Sequence, residues 1–238
     1  MALNLQSIYI LASGGSRAME QLDAITNNIS NVNTDGFKKI FLKEMSQRID
    51  KNGSDSNHLF VFPRFEDTLV VNIQGSLKKS ERPLDFAIEG DGFFVVRVAN
   101  KELLTRNGHF FLNNEGYLVD NNGNYVLDSS NRKILLDSKK DISVTEDGKI
   151  YQEQEEIASL KIVNFDEIEA FGKNYYSSVG NEIEPDFRVV QGFLENSNVN
   201  IVDEMSSLIV TQRRFEIYGN LIKSLDALEQ KSNEIAKA

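Results

Sequence analysis

Both ends of the chain carry an apolar repeat whose intervals alternate between three and four residues, and this repeat restricts the fold more than any other feature. Such spacing aligns apolar side chains along one stripe of a helix. The N-terminal stripe comprises Ile8, Leu11, Gly15, Ala18, Leu22, Ile25, Ile29 and Val32. The C-terminal stripe comprises Ile201, Met205, Leu208, Phe215, Ile222 and Leu225, with Gln212 and Gly219 completing the spacing. We therefore expect two long terminal helices, each needing a partner for its stripe.

The spacing alone leaves the partners of these stripes open. Gly15 and Ala18 make the first stripe thin, and Gln212 and Gly219 do the same for the second, so other helices can approach closely. An ordinary helix pair within one chain satisfies both stripes. An assembly of many copies, in which each helix packs against several neighbours, satisfies them too, and we favour this second interpretation.

The middle of the chain, from about Pro83 to Phe193, has a different pattern. Short β-branched and aromatic runs alternate with turns rich in Asn, Asp and Gly, which is typical of antiparallel strands. The pattern predicts a first strand at 93–98, two hairpins over 109–127, a third over 142–151, and further strands at 160–163 and 188–190.

The chain thus divides into four segments. We expect an N-terminal helix at 1–36, a connector at 37–80, a β-rich domain at 81–199 and a C-terminal helix at 200–238. The connector includes a polar stretch from Ser46 to His58 that is typical of a surface loop. The fold class is α+β, with the terminal helices pairing as a coiled coil around a central β-rich domain.

Composition excludes several functions. Acidic residues exceed basic ones by 36 to 26, giving a net charge of −10, which argues against nucleic-acid binding. Cysteine is absent, so disulfides, thiolate metal sites and cysteine nucleophiles are excluded. No apolar run approaches the roughly 20 residues of a membrane span, so we expect no membrane insertion. The N-terminus also lacks the layout of a secretory signal peptide.

No motif indicates catalysis, a cofactor or a metal. Gly90-Asp91-Gly92 begins a dinucleotide fingerprint, but no third glycine follows at the required spacing. Asp120, Asn122 and Asn124 have the spacing of a calcium loop without its remaining ligands, and we favour a hairpin turn. The acidic clusters at 153–156 and 166–169 are typical of solvated faces. We therefore expect a protein that is not an enzyme.

Several segments resemble the bacterial flagellar axial proteins, in particular the rod proteins of the basal body. They are collinear and reach nearly from end to end: 22–39, 82–94, 104–110, 114–119, 191–200, 202–205 and 212–216. The residues that match the family motifs are Asn28, Asn31, Thr34, Gly36, Phe37, Lys38, Gly90, Asp91, Gly92, Gly192, Leu194, Glu195, Ser197, Asn198 and Val199.

Gly36 has a specific role in this pattern. Asn31, Asn33 and Asp35-Gly36 end the helix, since glycine is favoured just past a helix end, and Gly36 follows the last stripe residue, Val32, by four positions. We expect Gly36 to adopt a left-handed conformation and Phe37 to anchor the chain as it turns toward the β domain. On conformation alone, Asn at position 36 would be tolerated better than Val.

The resemblance implies a structural subunit of the rod that polymerises through its terminal helices. The implied assembly interface comprises Ile8, Leu11, Leu22, Ile25, Ile29, Val32, Ile201, Met205, Leu208, Phe215, Ile222 and Leu225. The implied partners are other copies of the chain, other rod and axial proteins, and the flagellar type III export apparatus, with export into the periplasm-spanning rod and no cleaved leader. The short connector favours the larger proximal rod protein, with the distal rod protein as the alternative. A less favoured alternative outside the family is an independent oligomeric β-domain binding module with a coiled-coil stalk.

Overall fold

The computed structural model describes the backbone of residues 2–46 and 63–235 and the side chains of residues 7–43 and 68–231. The chain folds into two compact units. The first, called the helical unit, contains both helices with the first strand and most of the second. The second, called the β unit, comprises Asn31–Lys39 and Leu69–Val199.

The helical unit contains α1 (Ala2–Ser30), β1 (Ile40–Ser46), β2 (Pro63–Val70) up to Thr68, and α2 (Ile201–Ile235). β1 and β2 form a two-stranded sheet. The predicted connector therefore includes strands. Its polar stretch lies outside the described residues except for Ser46, which ends β1.

The two helices contact each other along their length and run in opposite directions. Well inside both helices, Arg214 of α2 donates a hydrogen bond to Gln21 of α1 at 3.5 Å. Tyr218, one turn further along α2, lies against Gly14, seven residues earlier in α1. The helices thus pair within the chain, while the coiled-coil geometry that we expect for them remains a prediction.

The β unit contains sixteen strands, paired antiparallel. They are β3 (Leu77–Lys79), β4 (Phe86–Gly90), β5 (Phe93–Val98), β6 (Lys101–Thr105), β7 (Phe111–Leu112), β8 (Leu118–Val119), β9 (Tyr125–Val126), β10 (Ile142–Val144), β11 (Lys149–Gln152), β12 (Glu155–Ser159), β13 (Ile162–Phe165), β14 (Ile168–Gly172), β15 (Tyr175–Ser178), β16 (Glu182–Ile183), β17 (Phe187–Gln191) and β18 (Phe193–Glu195). The α+β class is confirmed.

One large sheet organises this unit. Its strands follow the order β14-β15-β6-β5-β9-β8-β7; β13 also pairs with β5, and β16 pairs with β13. A three-stranded sheet, β10-β11-β12, and the pairs β17-β4 and β18-β3 complete the unit. The three predicted hairpins are confirmed as β7-β8, β8-β9 and β10-β11.

The turn between β8 and β9 explains the calcium-like spacing noted above. One carboxylate oxygen of Asp120 accepts backbone N–H bonds from Asn122 at 2.8 Å and Asn124 at 2.9 Å. The other oxygen accepts the hydroxyl of Tyr175. Asp120 therefore closes the hairpin, as we expected.

The core lies on both faces of β5. Phe94 and Val96 point into a cluster with Phe86 and Phe110, while Phe93 and Val95 point into a second cluster with Tyr176. Alternate side chains of a strand point to opposite faces, so a central strand buried on both sides becomes an unbroken apolar run. Each large side chain buried here contributes roughly 1.5–3 kcal/mol.

Candidate assembly site

The motif that follows α1 forms a tight turn in the β unit. The backbone N–H of Thr34 donates to the carbonyl of Asn31 at 3.0 Å, and that of Phe37 donates to the carbonyl of Thr34 at 3.2 Å. Gly36 has a φ of 70°, the left-handed conformation predicted for it. Phe37, buried to 5% exposure, is anchored in the unit.

A close backbone approach gives Gly36 a second reason to be glycine. A Cβ placed on Gly36 would overlap the backbone carbonyl of Arg106 and the backbone nitrogen of Asn107. Its own N–H donates to the carbonyl of Glu195 at 2.7 Å. Any side chain at position 36 would therefore push this turn away from two other segments.

Lys38 and Glu195 form a buried ion pair directly after this turn. The Nζ atom of Lys38 lies 2.7 Å from Oε1 of Glu195, and both side chains are almost fully buried. Lys38 also donates to the carbonyl of Ile73 at 2.8 Å, and the same carboxylate oxygen accepts the backbone N–H of Gly75 at 2.8 Å. The pair thus joins the motif after α1 to the motif before α2.

Arg106 adds a second buried cation. One of its terminal nitrogens, Nη1, donates to Oε2 of Glu195 at 3.1 Å and to the carbonyl of Ile88 at 3.1 Å. The other, Nη2, donates to the carbonyl of Gly90 at 2.7 Å. We call Lys38, Arg106 and Glu195 the ion cluster.

Burial controls the electrostatics of the ion cluster. It lowers the pKa of Lys38 and the pKa of Arg106, while Glu195 opposes both shifts by attraction and hydrogen bonding. The Tyr176 hydroxyl accepts the backbone N–H of Lys38 at 2.8 Å and donates to Asn174 at 3.1 Å. Because Tyr176 is buried, its pKa is raised. Both carboxylate oxygens are engaged, so the cluster serves to hold chain segments together.

Asn198 fastens the next stretch of chain. Its side-chain oxygen accepts the backbone N–H of Lys39 at 2.7 Å. Its side-chain nitrogen donates to the carbonyls of Val71 at 2.8 Å and Ile73 at 2.9 Å. One amide thus joins three separate segments of the β unit.

The other motif residues lie close to these groups in the β unit. Gly192 donates its N–H to the carbonyl of Asp85 at 2.7 Å, and Asp91 donates its N–H to the carbonyl of Asp186 at 2.8 Å. The hydroxyl of Ser197 accepts the N–H of Val199 at 3.2 Å. Leu194 and Val199 are buried, and Gly92 packs near Ile162.

Asn28 is the corresponding buried polar residue of the helical unit. Its side-chain amide exchanges two hydrogen bonds with the backbone of Ile40, at 2.8 and 2.9 Å, and donates to Glu204 of α2 at 3.2 Å. Asn200 caps α2, since its side-chain oxygen accepts the N–H of Val202 at 3.0 Å. Asn28 therefore fixes the end of α1 against both β1 and the first turn of α2.

The stripe residues divide between buried and exposed positions. On α1, Ile25 is buried, and Ile8, Leu11, Leu22 and Ile29 are half-buried; Val32, after the helix, is half-buried too. On α2, Leu208, Ile222 and Leu225 are half-buried. Ile201, Met205 and Phe215 are 43%, 53% and 43% exposed. Glu204 and Thr211, which the stripe does not include, are buried instead.

Helix α2 carries further apolar side chains outside the helix pair. Val210, Ile217, Leu221 and Leu228 are exposed and recur at intervals of seven, four and seven residues, which places them along one side of the helix. We call them the second stripe. A helix that is apolar beyond its buried stripe is typical of one surrounded by neighbours.

Sequence reasoning missed four of the residues that hold these contacts. Arg106 lies inside a segment that resembles the axial proteins, which was its only signal. Glu204 likewise lies inside a segment that resembles the axial proteins. Tyr176 and Asn174 carry no local pattern, because they bind Lys38 and Asp35, which lie far away in the sequence.

These features define a structural subunit, with buried polar groups engaged in holding segments together and apolar helix surface left uncovered. Within the described residues, no group of acidic and histidine side chains is arranged to hold a metal ion. Neither helix, over its described length, is long and apolar enough to cross a membrane.

Comparisons with known proteins agree with this class. The model of the flagella basal body rod protein family matches residues 8–38, that of the flagellar hook protein FlgE/F/G D1 domain matches residues 87–152, and that of the flagellar basal body rod FlgEFG protein C-terminal region matches residues 190–235. The flagellar basal-body rod protein FlgF of Mesorhizobium japonicum is 33% identical over 225 residues, 91% of this chain and 92% of the relative. The flagellar basal-body rod protein FlgG of Bacillus subtilis is 30% identical over 256 residues, 95% and 97% of the two chains.

The chain belongs to the flagellar basal-body rod protein family. It is a structural subunit of the rod and not an enzyme. Two members of the ion cluster, Lys38 and Glu195, belong to segments near the two ends of the chain that resemble this family.

Proposed function

We propose that this subunit polymerises into the rod through its terminal helices, which pair as a coiled coil, and that it occupies the proximal part of the rod. The observation that carries the proposal is the second stripe of α2, which stays exposed although α1 already lies against the helix. We also propose that the subunit is exported through the flagellar type III apparatus and contacts other copies and other axial proteins.

The energetics support assembly through this surface. Fully burying a valine, leucine or isoleucine side chain contributes roughly 1.5–3 kcal/mol, so the four residues of the second stripe give a substantial driving force. A contact between two different surfaces of identical subunits does not close on itself when the rotation is incomplete, and it then generates an open helical filament. A rod requires this kind of geometry.

The ion cluster has a supporting role in this proposal. Within the β unit, it joins the segment that follows α1 to the segment that precedes α2. The proximal position is supported by the short segment between Lys38 and Arg82, which leaves little room for an inserted domain.

The test separates the helix pair from the second stripe. Ile217→Asp should remove the subunit from purified basal bodies and abolish motility, while circular dichroism of the purified chain stays unchanged because Ile217 is exposed. Ile25→Asp should disturb the free chain as well, because Ile25 is buried in the helical unit. Asn220→Asp is the matched control on the same helix, and it should assemble normally. Normal rods containing the Ile217→Asp subunit would contradict the proposal.

The position along the rod needs a separate measurement. A cryo-EM map of the basal body with side chains assigned to this sequence should place the chain in the layers nearest the export apparatus. Its presence only in the layers nearest the hook would refute the proximal assignment and leave polymerisation through the helices intact.

A further inference from the structure

One face of the large sheet presents aromatic rings. Phe111 of β7 lies opposite Val119 of β8, which lies opposite Tyr125 of β9, so these three side chains share a face. Tyr117 precedes Val119 by two residues and belongs to the same face. The rings of Tyr117 and Tyr125 meet edge to face, with their centroids 5.7 Å apart.

Two cations lie over these rings. The Nζ atom of Lys133 is 3.7 Å from the ring centroid of Tyr125 and 5.6 Å from that of Tyr117. The guanidinium carbon of Arg82 is 4.6 Å from the ring centroid of Phe111. Cation–π attraction holds both positive groups in place. We call these five residues the basic-aromatic face.

This face suits an acidic partner. Lys133 is exposed and forms no ion pair with the described residues. The side chain of Arg82 is 41% exposed and lies 4.0 Å from a carboxylate oxygen of Asp85. Its Nη1 atom hydrogen-bonds the ring of His109 at 2.8 Å, so Arg82 offers its other guanidinium nitrogens. The rings are half-buried and have cations over them, which favours an anionic partner over one that stacks on bare rings. What remains available is a set of ammonium and guanidinium N–H donors, which carboxylates accept. Leu135, 53% exposed, follows Lys133 by two residues.

The same chain also carries an acidic surface, opposite in charge to the basic-aromatic face. Among the described strands, β16 pairs with β13 alone, and the chain continues from it through Glu184 to Asp186. Glu182, Glu184 and Asp186 are exposed and form no ion pair within the described part of the chain. Ile183, between the two glutamates, is 46% exposed. We call residues 182–186 the acidic edge.

We propose that the basic-aromatic face of one copy docks on the acidic edge of a neighbouring copy in the rod. This contact rests on the proposed function, because it requires the subunit to assemble. The two surfaces differ, so the contact is heterologous and continues from copy to copy. It sets two cations against three carboxylates, with Leu135 and Ile183 as apolar residues on the two sides. In a chain with a net charge of −10, it also provides attraction where copies would otherwise repel.

Cysteine cross-linking tests the contact directly, because the natural chain has no cysteine. A chain with Lys133→Cys and Glu184→Cys should form disulfide-linked multimers in purified basal bodies under mild oxidation. Either substitution alone should not form such a series, and neither should Lys139→Cys combined with Glu184→Cys, since Lys139 is exposed outside the basic-aromatic face. Multimers at the control level would overturn the proposal. So would cross-links only to another axial protein, because the partner would then not be a second copy.

Charge exchange supplies an independent readout. Lys133→Glu and Glu184→Lys should each reduce incorporation into the rod, and the chain carrying both should recover it, since every copy then offers exchanged surfaces. Lys139→Glu changes the net charge equally and should have no effect. If the unmodified chain is absent from basal bodies, the proposed function is refuted. If it is present and Lys133→Glu and Glu184→Lys are incorporated equally well, this contact alone is refuted.

Discussion

The Nζ atom of Lys38 lies 2.7 Å from Oε1 of Glu195, although 157 residues separate the two along the chain. Both side chains are buried, so the attraction of each to the other offsets the cost of removing its charge from water. Arg106 shares the carboxylate through its second oxygen. Loss of the anion therefore leaves two buried cations without a counter-charge.

Glu195→Gln should lower the free energy of unfolding of the β unit by about 3–5 kcal/mol, the range for removing one member of a buried pair. Lys38→Met should lower the free energy of unfolding by less, because Glu195 still has Arg106 as its ion-pair partner. Urea unfolding followed by tyrosine fluorescence measures this, since tryptophan is absent and five of the seven tyrosines lie in the β unit. Glu115→Gln, at an exposed position, is the control. Equal effects of Glu195→Gln and Glu115→Gln would contradict the role of the ion cluster.

Gly36→Asn should destabilise the β unit by at least about 2 kcal/mol, nearly as much as Gly36→Val. The left-handed conformation alone would favour Asn, as the sequence predicts. The structure adds the overlap of any Cβ with the backbone of Arg106 and Asn107, and overpacking of this kind typically costs about 1–3 kcal/mol. Urea unfolding of the two variants gives the comparison.

Gly123→Asn is the matched control for Gly36→Asn. Gly123 has a φ of 79°, and a Cβ there would meet nothing within 4 Å. The control variant should therefore stay within about 0.5 kcal/mol of the natural chain, the usual range for surface substitutions. If Gly36→Asn behaved like Gly123→Asn, the close approach at position 36 would be unimportant.

Local patterns predicted the helices and hairpins, and they did not predict the ion cluster. Alternating intervals identify apolar positions, and Asn-rich turns identify hairpins, because both depend on neighbouring residues. The ion cluster depends on residues 38, 106 and 195, whose proximity follows from the whole topology of the β unit. The stripe of α2 shows a related limit: Met205 is apolar and exposed, while Glu204 beside it is buried because Asn28 lies opposite. Periodicity finds apolar faces without showing which partner covers them.

Gly14→Ala should weaken the pairing of α1 and α2. A Cβ on Gly14 would lie 2.6 Å from the ring of Tyr218, so the ring must move. Gly219→Ala is the control: a Cβ there meets nothing within 4 Å, and alanine favours helix over glycine by about 1 kcal/mol. The midpoint temperature of thermal unfolding, followed by helical circular dichroism, should fall for Gly14→Ala and rise for Gly219→Ala. A rise for both would show that Tyr218 does not restrict position 14.

The stability of the β unit should depend on the ionisation of Tyr175 at high pH. Burial, followed by the hydrogen bond to Asp120, raises the pKa of Tyr175 to about 12 from its ordinary value of 10. Between these values the unfolded chain loses the phenol proton and the folded chain keeps it. The free energy of unfolding therefore falls as pH rises, by up to about 1.4 kcal/mol per pH unit from this group. Below pH 10 its contribution is complete.

Tyr175→Phe should destabilise the unit at pH 9, and that cost should shrink by pH 11.5, because the variant has no phenol to ionise. Other titrating groups, such as Lys38, are present in both proteins, so their effects cancel in the difference. Urea unfolding at the two pH values, followed by far-ultraviolet circular dichroism to avoid the tyrosinate signal, measures this cost. A cost independent of pH would show that the Tyr175 phenol titrates alike in the folded and unfolded chains.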